Sequence, residues 1–566
     1  MVGSGQRAHG RHMGSAALLL TPNVSIMRTD YVRIYKSIHT WTGIVAGMAL
    51  FIAFYAGALT VFKEPLTRWV TPPSDTRFVP LLETQELILK TLAAQPQVAN
   101  DFSIELQKSE HVSASMNWQV RDPDAEDHDD ASAQHYTATL DAEGLAQVAQ
   151  SHPSGLATFI DVLHRVVGLP VDNDPNRWVM GAICVLYTLA LVSGVVVLLP
   201  SLVKDFFALR IGKNIKRMWL DSHNVVGIVS LPFHLVMALT SAGFAFHDGI
   251  YLVQDKLLHD GKWNSAFQQQ RPATPRPPAR DPASMLTPVE LVAKVKTFAP
   301  GFEPTTLQYL QVTGPRAVVR VWGKDAAAVS PRARGGFAAI DPYSGKIINS
   351  DFLPGRQSTA SLFISSFFAL HMAAFGGTAA QWMYFLLGLA GAWLFYSGNL
   401  LWVESRRKMK PRQAETLPSQ RLDTRLMASA TVGVCLGCIC GVSLTIVGGK
   451  WLHGLVSDMN VWHPILYYAA FFSALAWAFL RGAAQAAIHL LWAAVALTLA
   501  IPVTSLMAWL VPALGMWTHT SMASLGVDAT ALVGAAALTW MARATSKRVR
   551  LGTPDSVWFA MPLTLR

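Results

Sequence analysis

The chain has 566 residues, 51% of them hydrophobic and only 14% charged, with 18 Trp and a formal net charge of +10. Repeated apolar runs of bilayer length exclude a soluble globular protein. Lys and Arg gather in short segments beside those runs, as the positive-inside rule requires, which excludes nucleic-acid binding as the reason for the surplus charge.

Residues 1–27 are rich in Gly, Ser, Arg and His and contain no Sec-type signal, because their apolar run is only Ala16 to Leu20. They read as a disordered N-terminus. Spanning runs follow from Ser37 to Phe62, Val179 to Leu199, Ser222 to Phe246 and Ala380 to Val403. Four more lie near Leu426 to Val447, Pro464 to Leu480, Ala484 to Leu510 and Ser521 to Met541. The expected fold is a polytopic α-helical membrane protein of about eight transmembrane helices. Its units are a first span (28–62), a first polar insertion (63–178), two spans (179–246), a second insertion (247–379), a fourth span with a basic loop (380–412) and an additional four-helix module (413–566).

Basic residues orient these spans. Arg28, Arg33 and Lys36 precede the first; Lys204, Arg210, Lys213, Lys216 and Arg217 lie between the second and third; Arg406, Arg407, Lys408, Lys410 and Arg412 follow the fourth; Lys547, Arg548 and Arg550 close the last. All four clusters share one side, so both termini are expected in the cytoplasm and both insertions in the periplasm of a bacterial inner membrane.

The two insertions read as repeats of a small α+β module. In the second, Thr287-Pro288-Val289-Glu290 is a capping box with Pro at the first helical position, opening a helix to about Phe298. Strands follow at Thr306 to Val312, Ala317 to Trp322 and Phe337 to Ile340, the last turning through Asp341-Pro342-Tyr343-Ser344-Gly345 into Lys346-Ile347-Ile348. The first insertion repeats the pattern with a helix from Thr84 to Leu92, strands near Phe102 to Gln107, Ser113 to Val120 and His135 to Leu140, and the turn Asp141-Ala142-Glu143-Gly144.

The chemistry rests on histidines. His223 and His234 stand eleven residues apart in one apolar run, which on a continuous helix puts both on one stripe about 16 Å apart, room for two stacked haems. Topology sets His39 and His223 at the same cytoplasmic depth, with His164 and His371 just outside the periplasmic ends of spans two and four. Two imidazoles ligating one haem iron leave no open position, which suits electron transfer. The expected pairs are His39 with His223 for an inner haem and His234 with either His164 or His371 for an outer one. Trp41, Phe233 and Phe244 are candidates to line haem faces. Cys435-Leu436-Gly437-Cys438 is followed by Ile439, not His, so c-type attachment is excluded and two non-covalent b haems are expected. Cys435, Cys438 and Cys440 read as small packing residues. His453, His463 and His519 read as solvated loop residues, with a third cofactor or a substrate as the alternative. The run Asp122, Asp124, Glu126, Asp127, Asp129 and Asp130, interrupted by His128, lacks EF-hand spacing and reads as a solvated loop.

The chain resembles the PepSY-associated transmembrane family over roughly residues 28 to 410. Its marks are Ser37-Ile38-His39-Thr40-Trp41-Thr42-Gly43, Leu163-His164-Arg165, Ser222-His223-Asn224-Val225-Val226-Gly227, Leu370-His371 with Gly376-Gly377, and the Asp341-Pro342-x-x-Gly345-Lys346 turn. The last four spans lie outside the pattern. The resemblance implies PepSY-like periplasmic modules and the di-haem inner-membrane ferric-siderophore reductase type. It therefore implies a ferric siderophore or other ferric chelate as substrate, with electrons from a quinol or a separate reductase. Arg165, Arg177, Tyr251 and Trp263 are candidate chelate contacts. The rival readings are a siderophore or metal permease and a PepSY-type regulator without redox activity.

Overall fold

The computed structural model describes residues 29–74, 76–110, 112, 114–121, 133–203, 207, 214–258, 279–332, 335–408 and 419–560. The N-terminus, the acidic run from Asp122 to Asp130, Trp263 and several loop lysines and arginines lie outside them, as does the side chain of Tyr251.

The chain opens with α1 (Thr29–Thr60) and α2 (Lys63–Val70). The first insertion then folds as α3 (Thr84–Ala94), β1 (Asp101–Glu105), β2 (Met116–Val120), β3 (Gln134–Leu140), β4 (Ala146–Ser151) and α4 (Leu156–Arg165). Next come α5 (Asp174–Leu198), α6 (Ile215–Val229), α7 (Leu231–Ala245) and α8 (His247–Leu258). The second insertion supplies α9 (Pro288–Phe298), β5 (Glu303–Leu310), β6 (Val318–Lys324), β7 (Gly336–Ile340), β8 (Ile347–Asn349) and α10 (Thr359–Met372). The chain closes with α11 (Gly377–Ser405), α12 (Leu422–Trp451), α13 (Met459–Arg481), α14 (Ala483–Leu510) and α15 (Met522–Leu551).

Among the described residues seven helices are long and apolar enough to cross a membrane, or eight if α6 and α7 count as one span. The protein is thus a polytopic helical membrane protein with small α+β modules. The third span is not the continuous helix expected: α6 and α7 meet at a 69° bend. Pro232 supplies the cause, since it has no N–H to donate and its ring crowds the carbonyl four residues back. Ser230, at the break, instead donates its hydroxyl to the Val226 carbonyl at 2.6 Å.

The insertions do repeat one another, but they do not fold as separate bodies. Their strands form one antiparallel eight-stranded sheet in the order β4-β3-β2-β1-β5-β6-β7-β8. The seam is β1 on β5, with Phe102 opposite Tyr309 and Ile104 opposite Leu307; the Phe102 and Tyr309 rings stack at 4.6 Å. Because strand side chains alternate, one face carries Phe102, Ile104, Leu307 and Tyr309 into a core closed by Leu87 and Ile88 of α3 and Leu291 and Val295 of α9. The opposite face is polar: Thr306 donates to Glu105 at 2.8 Å and Trp322 to Gln308 at 3.2 Å. The predicted capping box is present, Glu290 N–H donating to the Thr287 hydroxyl and Thr287 N–H to the Glu290 carboxylate.

The last four helices pack on the rest through an apolar cluster that joins Ile52, Trp69 and Ile160 to Val442, Tyr467 and Ile501, and through another that joins Ile44 and Val403 to Val432 and Ala486. At the sheet end the start of α15 reaches the first insertion: Ser521, its N-cap, and Ser524 in its first turn donate their hydroxyls to Glu110 at 2.6 and 3.1 Å. Burial alone would raise the Glu110 carboxyl; these donors and nearby His519 hold it below its usual value.

Candidate functional site

Four of the five predicted histidines converge in twos. His39 of α1 faces His223 of α6 with ring centroids 6.2 Å apart, and His164 of α4 faces His371 of α10 at 6.1 Å. A metal–imidazole bond is about 2 Å long, so two imidazoles gripping one ion from opposite sides place their centroids about 6 Å apart. Among the described residues no three His, Cys, Asp or Glu converge on a metal position. Convergence in twos is what axial ligation of a porphyrin iron requires.

Hydrogen bonding selects the same tautomer at all four positions. The Nδ1–H of His39 donates to the Ala190 carbonyl and that of His164 to the Ala53 carbonyl, each at 2.8 Å. His371 Nδ1 lies 2.8 Å from the Thr240 hydroxyl, which itself donates to the Val236 carbonyl. His223 Nδ1 lies 3.2 Å from the Ser397 hydroxyl, which donates to the Leu394 carbonyl. Each hydroxyl has spent its hydrogen and must accept, so each Nδ1 carries the proton and each Nε2 presents a lone pair.

Glycines on neighbouring helices seat the rings. A Cβ at Gly194 would stand 2.9 Å from His39 ring atoms, one at Gly57 2.7 Å from His164 Nδ1 and one at Gly398 3.3 Å from His223 Cε1. One turn beyond His39 and His223, Gly43 has no atom within 4 Å of where its Cβ would be and Gly227 only Leu394 at 3.6 Å. The residues present therefore fit a flat group lying along these helices at the His39–His223 pair. The shared spacing His-x-x-x-Gly in α1 and α6 is visible in the sequence and is a signal that the ligand reading passed over.

The pairs stand near opposite ends of the bundle. His39 lies in the first turns of α1, whereas His164 bonds to Ala53, fourteen residues on, or roughly 21 Å along the axis at the helical rise. The His164–His371 pair is on the sheet side. It borders a continuous space of about 3060 Å³ that reaches from the polar face of the sheet, at Glu105, Asn117, Gln308 and Trp322, down between the helices.

His234 departs from expectation. It joins neither His164 nor His371, because the bend before α7 turns it into an aromatic layer between the pairs. Tyr187 Oη lies 2.6 Å from its Nδ1, Phe54, Phe233 and Phe395 surround it at 5.4, 5.7 and 6.3 Å, and its buried Nε2 has no partner among the described residues. Phe244 stands edge-on to His371 at 4.9 Å, and Trp41 is exposed on the outer surface of α1.

Other predicted residues take different places. Arg165 and Arg177 are both engaged by buried Asp172, with Arg177 Nε at 2.8 Å, so they brace the turn before α5. His463 is buried at 1% exposure, its Nε2 3.4 Å from the Ser154 hydroxyl. His519 Nε2 bonds the Thr71 carbonyl at 2.8 Å, and His453 packs on Trp517 at 4.9 Å. His463 and His519 are thus not solvated, whereas His453 lies exposed on a turn as expected. Cys435, Cys438 and Cys440 are buried and unbridged.

The last four helices also hold the short helix that carries His164. Asn460 accepts from Gly155 N–H at 2.7 Å and donates to the Pro153 carbonyl at 3.1 Å, while Tyr468 donates to the Gly168 carbonyl at 3.0 Å. Both ends of α4 are therefore fastened to α13.

A multi-pass bundle with a two-module sheet at one end and two histidine pairs inside defines the class. The chain belongs to the family described as the PepSY-associated TM region, which matches residues 36–405 and so takes in both insertions and all five histidines. No curated protein matches the chain.

Proposed function

We propose that the protein is a transmembrane b-haem reductase that carries electrons across the bacterial inner membrane to a ferric siderophore or similar ferric chelate in the periplasm. The observation that carries this reading is the matched pair of pairs: facing imidazoles near each end of the bundle, every Nδ1–H committed and every Nε2 free. His39 and His223 would hold an inner haem, His164 and His371 an outer one. A porphyrin iron held by two imidazoles supplies one-electron transfer with no open position for oxygen.

The chain's own residues do the rest. The carbonyls of Ala190 and Ala53 and the hydroxyls of Ser397 and Thr240 fix the imidazole planes. The aromatic layer of Phe54, Tyr187, His234 and Phe395 keeps water out of the span between the pairs. The polar face of the sheet offers a chelate hydroxyl, amide and carboxylate contacts above the His164–His371 pair. Reduction of Fe³⁺ to Fe²⁺ weakens its bonds to hard oxygen donors, so the chelator releases the metal. The sheet side would be periplasmic and both termini cytoplasmic, because the basic clusters gather at the other end.

The test is a redox titration by mixing. Dithionite-reduced protein, freed of excess reductant, is mixed anaerobically with a ferric hydroxamate chelate while the haem α-band and a ferrous-specific dye are followed. The expected result is one ferrous ion per haem reoxidised. Uptake of intact chelate into liposomes with no absorbance change supports a permease instead.

A further inference from the structure

The space bordering the His164–His371 pair continues into the membrane as a cleft between α1 and α11 on one side and α12 and α15 on the other. Its deep walls are Tyr55, Trp393, Tyr396, Ile439, Leu538 and Met541. Only 11% of the apolar window of α15 is buried, so the wall that α15 gives the cleft is a single helix with lipid on its other side. In this apolar setting two phenols stand out: among the described residues neither Tyr55 nor Tyr396 has a hydrogen-bond partner for its hydroxyl. Gly47 packs on Asn399 and Gly388 on Ala58, so α1 and α11 run antiparallel. Tyr55 and Tyr396 then differ by about five residues, or roughly 8 Å, in depth.

The cleft adjoins the inner pair. Tyr396 lies 5.9 Å from Trp393, whose indole N–H donates at 3.3 Å to Ser222, the residue before His223. Trp393 in turn packs on Trp219 at 5.6 Å, and the Arg548 guanidinium sits 5.6 Å over Trp219. Further along α11 than Tyr396, buried Glu404 pairs with Arg407 at 3.8 Å, so a carboxylate and, at Arg548, a cation stand beyond the cleft end away from the sheet.

We infer that this cleft binds a membrane quinol, its two ring oxygens meeting the Tyr55 and Tyr396 hydroxyls. This rests on the electron-transfer reading above and names its donor. Oxidation of the quinol to the quinone breaks two O–H bonds. The two electrons leave through the His39–His223 site and reduce two ferric chelates to ferrous, and the two protons leave past Glu404 on the side of the basic loops. An apolar site one helix away from lipid, with paired hydrogen-bond donors, suits a hydrophobic two-electron carrier. A water-soluble nucleotide would find no phosphate contacts in these walls.

The test uses the full-length, haem-loaded protein in lipid nanodiscs with a photoactivatable azidoquinone, and digestion to map the label. The expected label falls on peptides containing Tyr396 and residues 527–541 and is displaced by excess decylubiquinone. Reduction of the haem by decylubiquinol should fall at least tenfold in Tyr396→Phe and in Ala537→Trp, which fills the cleft, while the dithionite-reduced spectrum of both is kept. Label that decylubiquinone does not displace, or unchanged quinol reduction in Ala537→Trp, overturns the proposal. If the protein carries no haem, the electron-transfer reading fails by spectrum, and competed labelling still decides separately whether the cleft binds quinone.

Discussion

The two histidine pairs are alike in ring separation, with ring planes at 70° in one and 34° in the other, and unlike in construction. His39 sits on the 32-residue α1 and His223 on α6, one half of the bent third span, each ring seated on a glycine of another span, so span-on-span packing is enough to place them. His164 and His371 sit on α4 and α10, helices of 10 and 14 residues that do not cross the membrane. Short helices are marginal alone, and α4 is fastened at both ends by Asn460 and Tyr468 of α13. The helix that carries His164 is therefore held at both ends by a helix outside the family match, whereas α6, which carries His223, meets those helices through Arg548, whose guanidinium sits 5.6 Å over Trp219.

Removing a ligand should show the largest effect. His223→Ala and His39→Ala are each expected to halve the haem content and lose the same haem, and His371→Ala and His164→Ala to lose the other, by pyridine haemochrome assay of purified protein. Two ligands of one pair that remove different haems would break the comparison. Next come the seats: a Cβ at Gly57 would stand 2.7 Å from His164 and one at Gly194 2.9 Å from His39. Gly57→Val should thus deplete the sheet-side haem alone and Gly194→Val the inner haem alone, read as loss of one component in a potentiometric titration.

The fastenings of α4 should act more gently. A net hydrogen bond contributes about 1 kcal/mol, so Asn460→Ala with Tyr468→Phe is expected to speed loss of the sheet-side haem to apomyoglobin by roughly tenfold or more, with the inner haem unmoved. Equal loss from both sites would show that the last four helices support the whole bundle and not one pair. The smallest effect belongs to His234→Phe, which should keep both haems; loss of either would return His234 to the ligand set.

Much of this was legible because it is local. Apolar length revealed the spans, alternation the strands to within a few residues, and the Thr287 capping box the start of α9. The His39–His223 pair followed from topology, since two spans entering from one side place their early residues at one depth. The β1–β5 seam had no local signal, because register between strands two hundred residues apart is set by the packing of Phe102 on Tyr309. The bend at Ser230 was signalled by Pro232, yet a hydropathy reading treats a kinked and a straight span alike, and the stripe drawn through His223 and His234 failed on that point. Topology set His164 and His371 at the same end, but their pairing with each other was out of reach because the unbent stripe drew His234 toward that end as the partner of one of them.

The central claim is that four neutral imidazoles grip two irons in pairs. Low-temperature electron paramagnetic resonance of the oxidised protein tests it most directly. Two low-spin ferric signals of bis-histidine type are predicted, one abolished in His223→Ala and the other in His371→Ala. A protein expressed with ample haem that shows no low-spin ferric signal, or one signal abolished by both substitutions, would contradict the account.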